Sequence, residues 1–320
     1  MVRMLRMAAL AAILVLVAEC GGSAGTSGTK SYKVTLIAGT TADNFYVTMN
    51  CGAQAEAKKM GVTYNFTGPN HFDAPTQIPV VNTVTAQHPD AVLIAPTDVS
   101  ALIQPMQQMK SAGIKVVEVD THVNDSSISV SRIASDNTKG GQLAADTLAQ
   151  LVGSKGTVMV VNVNPGISTT DARDQGFHTE MAARYPNINV LPTQYDNDDQ
   201  AKAAQILTST YAAHPDLVGI FAANTISAEG VATGIRNASA TGKIKTVGFD
   251  AEPQSVQDLN NDVVQALIAQ QPAKIGADGI DQAVNALSGK PVQGQIGTDL
   301  VAITKENMSS QSQYFYKSSC

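Results

Sequence analysis

One strand–helix plan is written twice along this chain. His88-Pro89-Asp90 leads into an apolar run that ends at Pro96-Thr97, and His214-Pro215-Asp216 leads into another that ends at Ala223-Asn224. Further on, residues 113–120 have a counterpart in residues 242–250, each opening on glycine and closing on aspartate. One tripeptide match could be chance. Two matches in the same order, each at the same place in a strand–helix unit, imply two lobes of similar build.

Between these landmarks, short β-branched runs alternate with amphipathic stretches. The runs at 34–38, 91–95, 115–119, 157–163, 218–222 and 244–249 are nearly continuous in apolar character. Strands covered by helices on both faces read this way. The stretches at 47–59, 75–86, 100–112, 139–151, 174–185, 199–212 and 227–238 have helical spacing. The expected fold is α/β, with two doubly wound parallel-sheet lobes. Ligands of open parallel sheets bind beyond the carboxyl ends of the strands. Polar residues stand there in matched positions: Asp43, Asp120, Arg173, Asn224 and Asp250. Facing lobes would bring them to one cleft. The alternative for any single one is a helix N-cap.

The N-terminus addresses location. Arg3 and Arg6 precede an apolar run from Met7 to Ala18 that is too short to span a bilayer comfortably. Cys20 follows it, as in the lipobox of a bacterial lipoprotein, although Glu19 departs from the small residue usual before that cysteine. Residues 1–19 are expected to be a signal peptide and 20–31 a flexible Gly/Ser/Thr tether, with Cys20 the site of lipidation. The expected location is outside the cytoplasm, anchored to the cell membrane and facing the periplasm or the outer wall zone. In such an oxidising compartment Cys51 and Cys320 can bridge, pinning the C-terminus; two separate thiols are the alternative.

Several motifs together resemble the ribose-type periplasmic (type I) sugar-binding proteins of ABC importers, relatives of the sensor domain of LacI-type repressors. They are Asn44-Phe45-Tyr46-Val47, Ile133-Ala134-Ser135-Asp136-Asn137, Arg173-Asp174-Gln175-Gly176-Phe177, Val247-Gly248-Phe249-Asp250 and Ile268-Ala269-Gln270. The resemblance implies that Phe45 and Tyr46 cover a sugar ring, and that Asp120, Arg173, Asn224, Asp250 and Gln270 bond its hydroxyls. Asp43 stands where ribose binders carry asparagine, Thr121 where they carry arginine, and Asp198 near a lost second aromatic, so the ligand set includes these positions while ribose itself is in doubt. The resemblance also implies a three-crossing hinge near Ser135-Asp136, Gln270-Gln271 and Thr298-Asp299. The lobes would then be 32–135 with 271–298, and 136–270 with 299–312, followed by a tail at 313–320.

The implied function is capture of a neutral monosaccharide or polyol by hinge closure and its presentation to an ABC permease with its ATPase subunits, by a monomer that touches membrane only through its lipid anchor. No cofactor or metal is implied. A sugar sensor or chemoreceptor ligand-binding protein of the same fold is an alternative. A net charge of −6 without basic runs argues against nucleic-acid binding, and a secretion-like leader stands where a repressor would carry its DNA-binding helices. Five scattered histidines offer no metal spacing, and no nucleophile elbow or Walker loop is present. Asp120 and Asp250 could in principle form the acid/base pair of a glycosidase.

Overall fold

The computed structural model describes residues 31–320, so the expected leader, Cys20 and all of the expected tether except Ser31 lie outside the described residues. The first half runs β1 (Lys33–Ile37), α1 (Asn44–Met60), β2 (Thr63–Thr67), α2 (Ala74–Ala86), β3 (Ala91–Ile94), α3 (Ile103–Ser111), β4 (Lys115–Val119) and β5 (Ser131–Ser135). The second runs α4 (Asn137–Leu151), β6 (Gly156–Asn162), α5 (Ser168–Arg184), β7 (Ile188–Val190), β8 (Gln194–Tyr195), α6 (Gln200–Ala213), β9 (Leu217–Ala222), α7 (Thr225–Asn237), β10 (Lys245–Phe249), α8 (Pro253–Asn260) and β11 (Ala266–Ala269). Then α9 (Pro272–Leu287), β12 (Gln295–Thr298) and β13 (Val301–Thr304) follow.

Two sheets result, ordered β12-β5-β4-β3-β1-β2 and β13-β11-β10-β9-β6-β7, with β8 also paired to β6. The order explains the repeat: β3 and β9 hold the same place, as do β4 and β10. Alternation within each strand feeds a separate core on each sheet face. Along β3, Ala91 and Leu93 join α1 and α9 residues such as Met49 and Ile280, whereas Val92 and Ile94 join α2 and α3 residues such as Val81 and Met106. In β9, Ile220 and Ala222 face α7 while Phe221 stacks on Phe177 of α5 at 5.1 Å.

The parallel expectation holds throughout the first sheet, but β13 is antiparallel to β11. Strands of both sheets end at the cleft, so β12 leaves the first lobe toward the cleft. Only Asp299 and Leu300 separate it from β13, which must therefore enter the second sheet from the cleft side, against its neighbour. A parallel entry would need a long crossover.

The chain passes between the sheets after Ser135, after Gln270 and after Thr298. Ser135 and Thr298 share a hydroxyl hydrogen bond of 3.2 Å, Gln271 Nε2 donates to the Asp299 carbonyl at 3.2 Å, and Asp136 caps α4 through the Lys139 amide. A fourth passage follows. Met308, Tyr314 and Phe315 pack on the second lobe, yet Tyr316 belongs to a first-lobe core, and Cys320 is bonded to Cys51 of α1.

Candidate functional site

The cleft between the lobes holds a cavity of about 450 Å³, open mouth included. Nine of the ten expected ligand residues line it: Asp43, Phe45, Tyr46, Asp120, Arg173, Asp198, Asn224, Asp250 and Gln270.

Helix α1 begins at Asn44, earlier than the apolar spacing suggested, because Asp43 caps it by accepting from the Phe45 amide at 2.7 Å. Phe45 and Tyr46 thus sit in the first turn, edge-to-face with ring centroids 5.1 Å apart. Tyr46 donates its hydroxyl to Asp120 Oδ2 at 2.7 Å. Burial lifts the Asp120 carboxyl to about 6, against the pull of Arg173 and the Tyr46 hydroxyl. Asp120 and Asp250 both close their strands with φ in the left-handed region, 65° and 77°.

Arg173 lies inside α5, in its second turn, rather than in the loop after the strand. Helices α4 and α5 approach so closely there that a Cβ on Gly141 would collide with the Arg173 carbonyl. The guanidinium is 3 % exposed, lies 3.7 Å from the centroid of the Phe249 ring, and donates to Asn137 Oδ1 and the Ala223 carbonyl, each at 2.8 Å. These bonds use Nε and Nη1, and the cavity receives the other edge of the fork. Asn224 caps α7 with its carbonyl and donates from Nδ2 to Asp198 at 2.9 Å. Asp198 sits on two consecutive left-handed residues, Asn197 and Asp198, in a loop held by buried Asp196. Burial raises the Asp198 carboxyl as well. Asp250 receives Gln270 Nε2 at 2.8 Å, the Tyr316 hydroxyl at 2.6 Å and the Thr225 hydroxyl at 3.3 Å.

Thr121 is the exception. The left-handed turn at Asp120 sends it back on its own strand, its amide donating to the Val119 carbonyl at 2.8 Å, and it does not line the cavity. His122, the next residue, does not line it either; its amide bonds the Ser168 hydroxyl at 3.0 Å. Cavity residues beyond the expected set are Thr40, Phe72, Val163, Ile167, Thr169 and Thr170. The run Ser168-Thr169-Thr170 at the start of α5 is a sequence signal that could have exposed two of them. Gln270 Oε1 and Thr170 Oγ1 are buried with no partner among the described residues.

Across the mouth, the Val99 amide bonds the Gly166 carbonyl at 3.0 Å and Asn44 Nδ2 bonds Glu252 Oε2 at 2.6 Å. Asp43 faces Glu252, which is 4 % exposed. Burial first, then the charges of Glu252 and Asp250, hold the Asp43 carboxyl well above the usual carboxylate range, and burial raises Glu252 too.

Two facing lobes with a polar, partly unsatisfied cavity between them define a two-lobed ligand-binding protein. The profile of the periplasmic binding protein domain matches residues 34–291. The ribose import binding protein of Escherichia coli is 31 % identical over 274 residues, 85 % of this chain and 90 % of that protein. An ABC-transporter solute-binding protein from Agrobacterium vitis, solved with α-D-tagatopyranose, is 42 % identical, with a TM-score of 0.88 over 90 % of this chain and 100 % of that one. A carbohydrate-transporter solute-binding protein from Agrobacterium radiobacter, solved with D-arabinose, is 27 % identical, with a TM-score of 0.85 over 89 % and 98 %. The chain belongs to the periplasmic binding protein family, in its type I branch. The relatives are named as binding proteins of transport systems, not as enzymes.

Proposed function

We propose that this chain is the solute-binding lipoprotein of an ABC importer, that it traps one neutral monosaccharide in the cleft, and that the lobes close on it about the crossings at Ser135-Asp136, Gln270-Gln271 and Thr298-Asp299. The observation that carries the reading is the cavity itself. Aromatic rings of Phe45, Tyr46 and Phe72 offer cover for C–H faces, while Asp120, Asp250, Asn224 and the Arg173 fork offer acceptors and donors for hydroxyls. The unpartnered Gln270 Oε1 is an acceptor awaiting a ligand hydroxyl, and Thr170 Oγ1 can give or take one. An analogue lacking a matched hydroxyl leaves such a group unsatisfied, at a cost of about 1–3 kcal/mol.

The lining carries Asp43, Asp120, Asp198 and Asp250 against one arginine, which disfavours an acidic sugar. Ligand names of relatives—ribose, tagatose and arabinose—support a neutral pentose or hexose. Cys20 after the apolar leader supports export and a lipid anchor at the membrane face. The test is a thermal-shift series with D-tagatose, D-ribose, D-arabinose, D-allose, D-fucose and D-glucuronate. One neutral sugar should raise the melting temperature, by about 2.7 kcal/mol of stabilisation at a hundred times its Kd. Stabilisation by glucuronate alone, or by none of the six, overturns the reading.

A further inference from the structure

The fourth passage between the lobes ends inside the site. Residues up to Phe315 pack on the second lobe, and Tyr316 turns into the first. Its amide bonds the Ala251 carbonyl at 3.0 Å, next to Asp250. Its hydroxyl donates to Asp250 Oδ1 at 2.6 Å and accepts the Gln270 amide at 3.2 Å. Its ring lies edge-on to Phe45, with centroids 5.8 Å apart. One side chain, 5 % exposed, thus touches three cavity residues drawn from both lobes and from a crossing. Beyond it, Lys317 donates its amide to the Thr48 hydroxyl at 2.7 Å, and Cys320 is bonded to Cys51 on the same helix.

We propose that the C-terminal tail is part of the binding machinery: Tyr316 positions Asp250 and Gln270 for the ligand, and the Cys51–Cys320 bridge keeps Tyr316 in place as a fourth tie between the lobes. The proposal deepens the sugar-capture reading and rests on it for the positioning role. Asp250 sits on a left-handed residue at a strand end, where backbone geometry alone does not choose a carboxylate rotamer. Three donors fix it: Gln270 Nε2 and the hydroxyls of Thr225 and Tyr316. Only Tyr316 comes from outside the second lobe and its crossing, so it alone makes the orientation of Asp250 depend on a segment fastened to the first lobe. The covalent bond matters because the last residues are exposed and have little apolar surface to hold them.

Two measurements test this. In the first, affinity for the best sugar of the thermal-shift series is measured in wild type, Tyr316→Phe, Asp250→Ala and the double variant. Tyr316→Phe keeps the ring and should weaken binding at least fivefold. Most of that loss should vanish in the Asp250→Ala background, because the hydroxyl acts through that carboxylate. Additive losses, or wild-type affinity in Tyr316→Phe, overturn the positioning role. In the second, donor–acceptor labels on the two lobes report their separation in sugar-free protein. Cys320→Ser, and Cys51→Ser as an independent variant, should widen the sugar-free distribution and leave the sugar-bound one unchanged. Identical sugar-free distributions overturn the tie. The second measurement needs no ligand, so a failure of every sugar to bind, which would refute the capture reading, is told apart from a failure of the tie.

Discussion

The two lobes share a strand order, yet they meet the cleft differently. The second lobe arrives with its polar groups already bonded to one another: Arg173 to Asn137 and the Ala223 carbonyl, Asn224 to Asp198, Asp250 to Gln270, Thr225 and Tyr316. The first lobe offers the opening of one helix, with two aromatic rings and the acids Asp43 and Asp120, both held above their usual range. One side is a rigid lattice of donors and acceptors, and the other an apolar wall with acidic edges. Such a division suits a ligand with one face of C–H bonds and a rim of hydroxyls. It also says where changes should hurt most.

The largest effect is expected from breaking the second-lobe lattice. Arg173→Ala removes two buried bonds and deprives Asn137 Oδ1 and the Ala223 carbonyl of their guanidinium donor. Truncating a buried charged partner costs about 2–5 kcal/mol, so calorimetry should show affinity lost by roughly 30-fold or more, with a lowered melting temperature. Unchanged binding would remove Arg173 from the site. Next comes the first-lobe wall: Phe45→Ala should weaken binding by about tenfold with a smaller stability loss, and an effect exceeding that of Arg173→Ala would invert the comparison.

The smallest effect concerns protons. Asp43 and Glu252 meet across the mouth, and between two ionised carboxyls there is no donor; Glu252 Oε1 has none among the described residues. Burial and mutual repulsion therefore favour a proton on the pair. Asp43 and Glu252 are both raised in the structure described, while opened lobes would return them toward ordinary values of 3.8 and 4.5. The proposed closure would therefore favour proton uptake. Its contribution is complete below the ordinary carboxylate range and is lost as pH rises through the raised value. Asp120, raised to about 6, adds in the same direction. Acidic Asp250 and Glu229 face the pair and reinforce the sign. Affinity should fall as pH rises through about 6, the value to which Asp120 is raised, by at most tenfold per unit for one proton, and Asp43→Asn should make the profile shallower. Affinity that rises with pH would sink this account.

Strands such as 91–95 and 115–119 were legible because burial on both faces leaves a run without alternation. The strand-end aspartates were legible because the repeat marks them twice. Arg173 was legible as a residue but not as part of a helix, since no capping side chain precedes α5, whose N-cap is Ile167. Glu252 carried no local signal: its partner Asn44 lies 208 residues away, on the other lobe. Tyr316 carried no local signal of a place in the cleft. Its role depends on where the chain end lands, which no periodicity encodes. Thr121 was misplaced because a neighbour relation in sequence does not survive a left-handed turn.

That left-handed turn has a consequence for descent as well as for shape. At Asp120 and Asp250 the backbone accepts glycine, asparagine or aspartate with little strain and disfavours bulky and β-branched residues. A lineage that changes its sugar therefore has a narrower alphabet to draw on at the two strand ends. A change of ligand preference is expected at positions with ordinary backbone, such as Asp43, Thr169 and Thr170, before it is expected at the two strand ends.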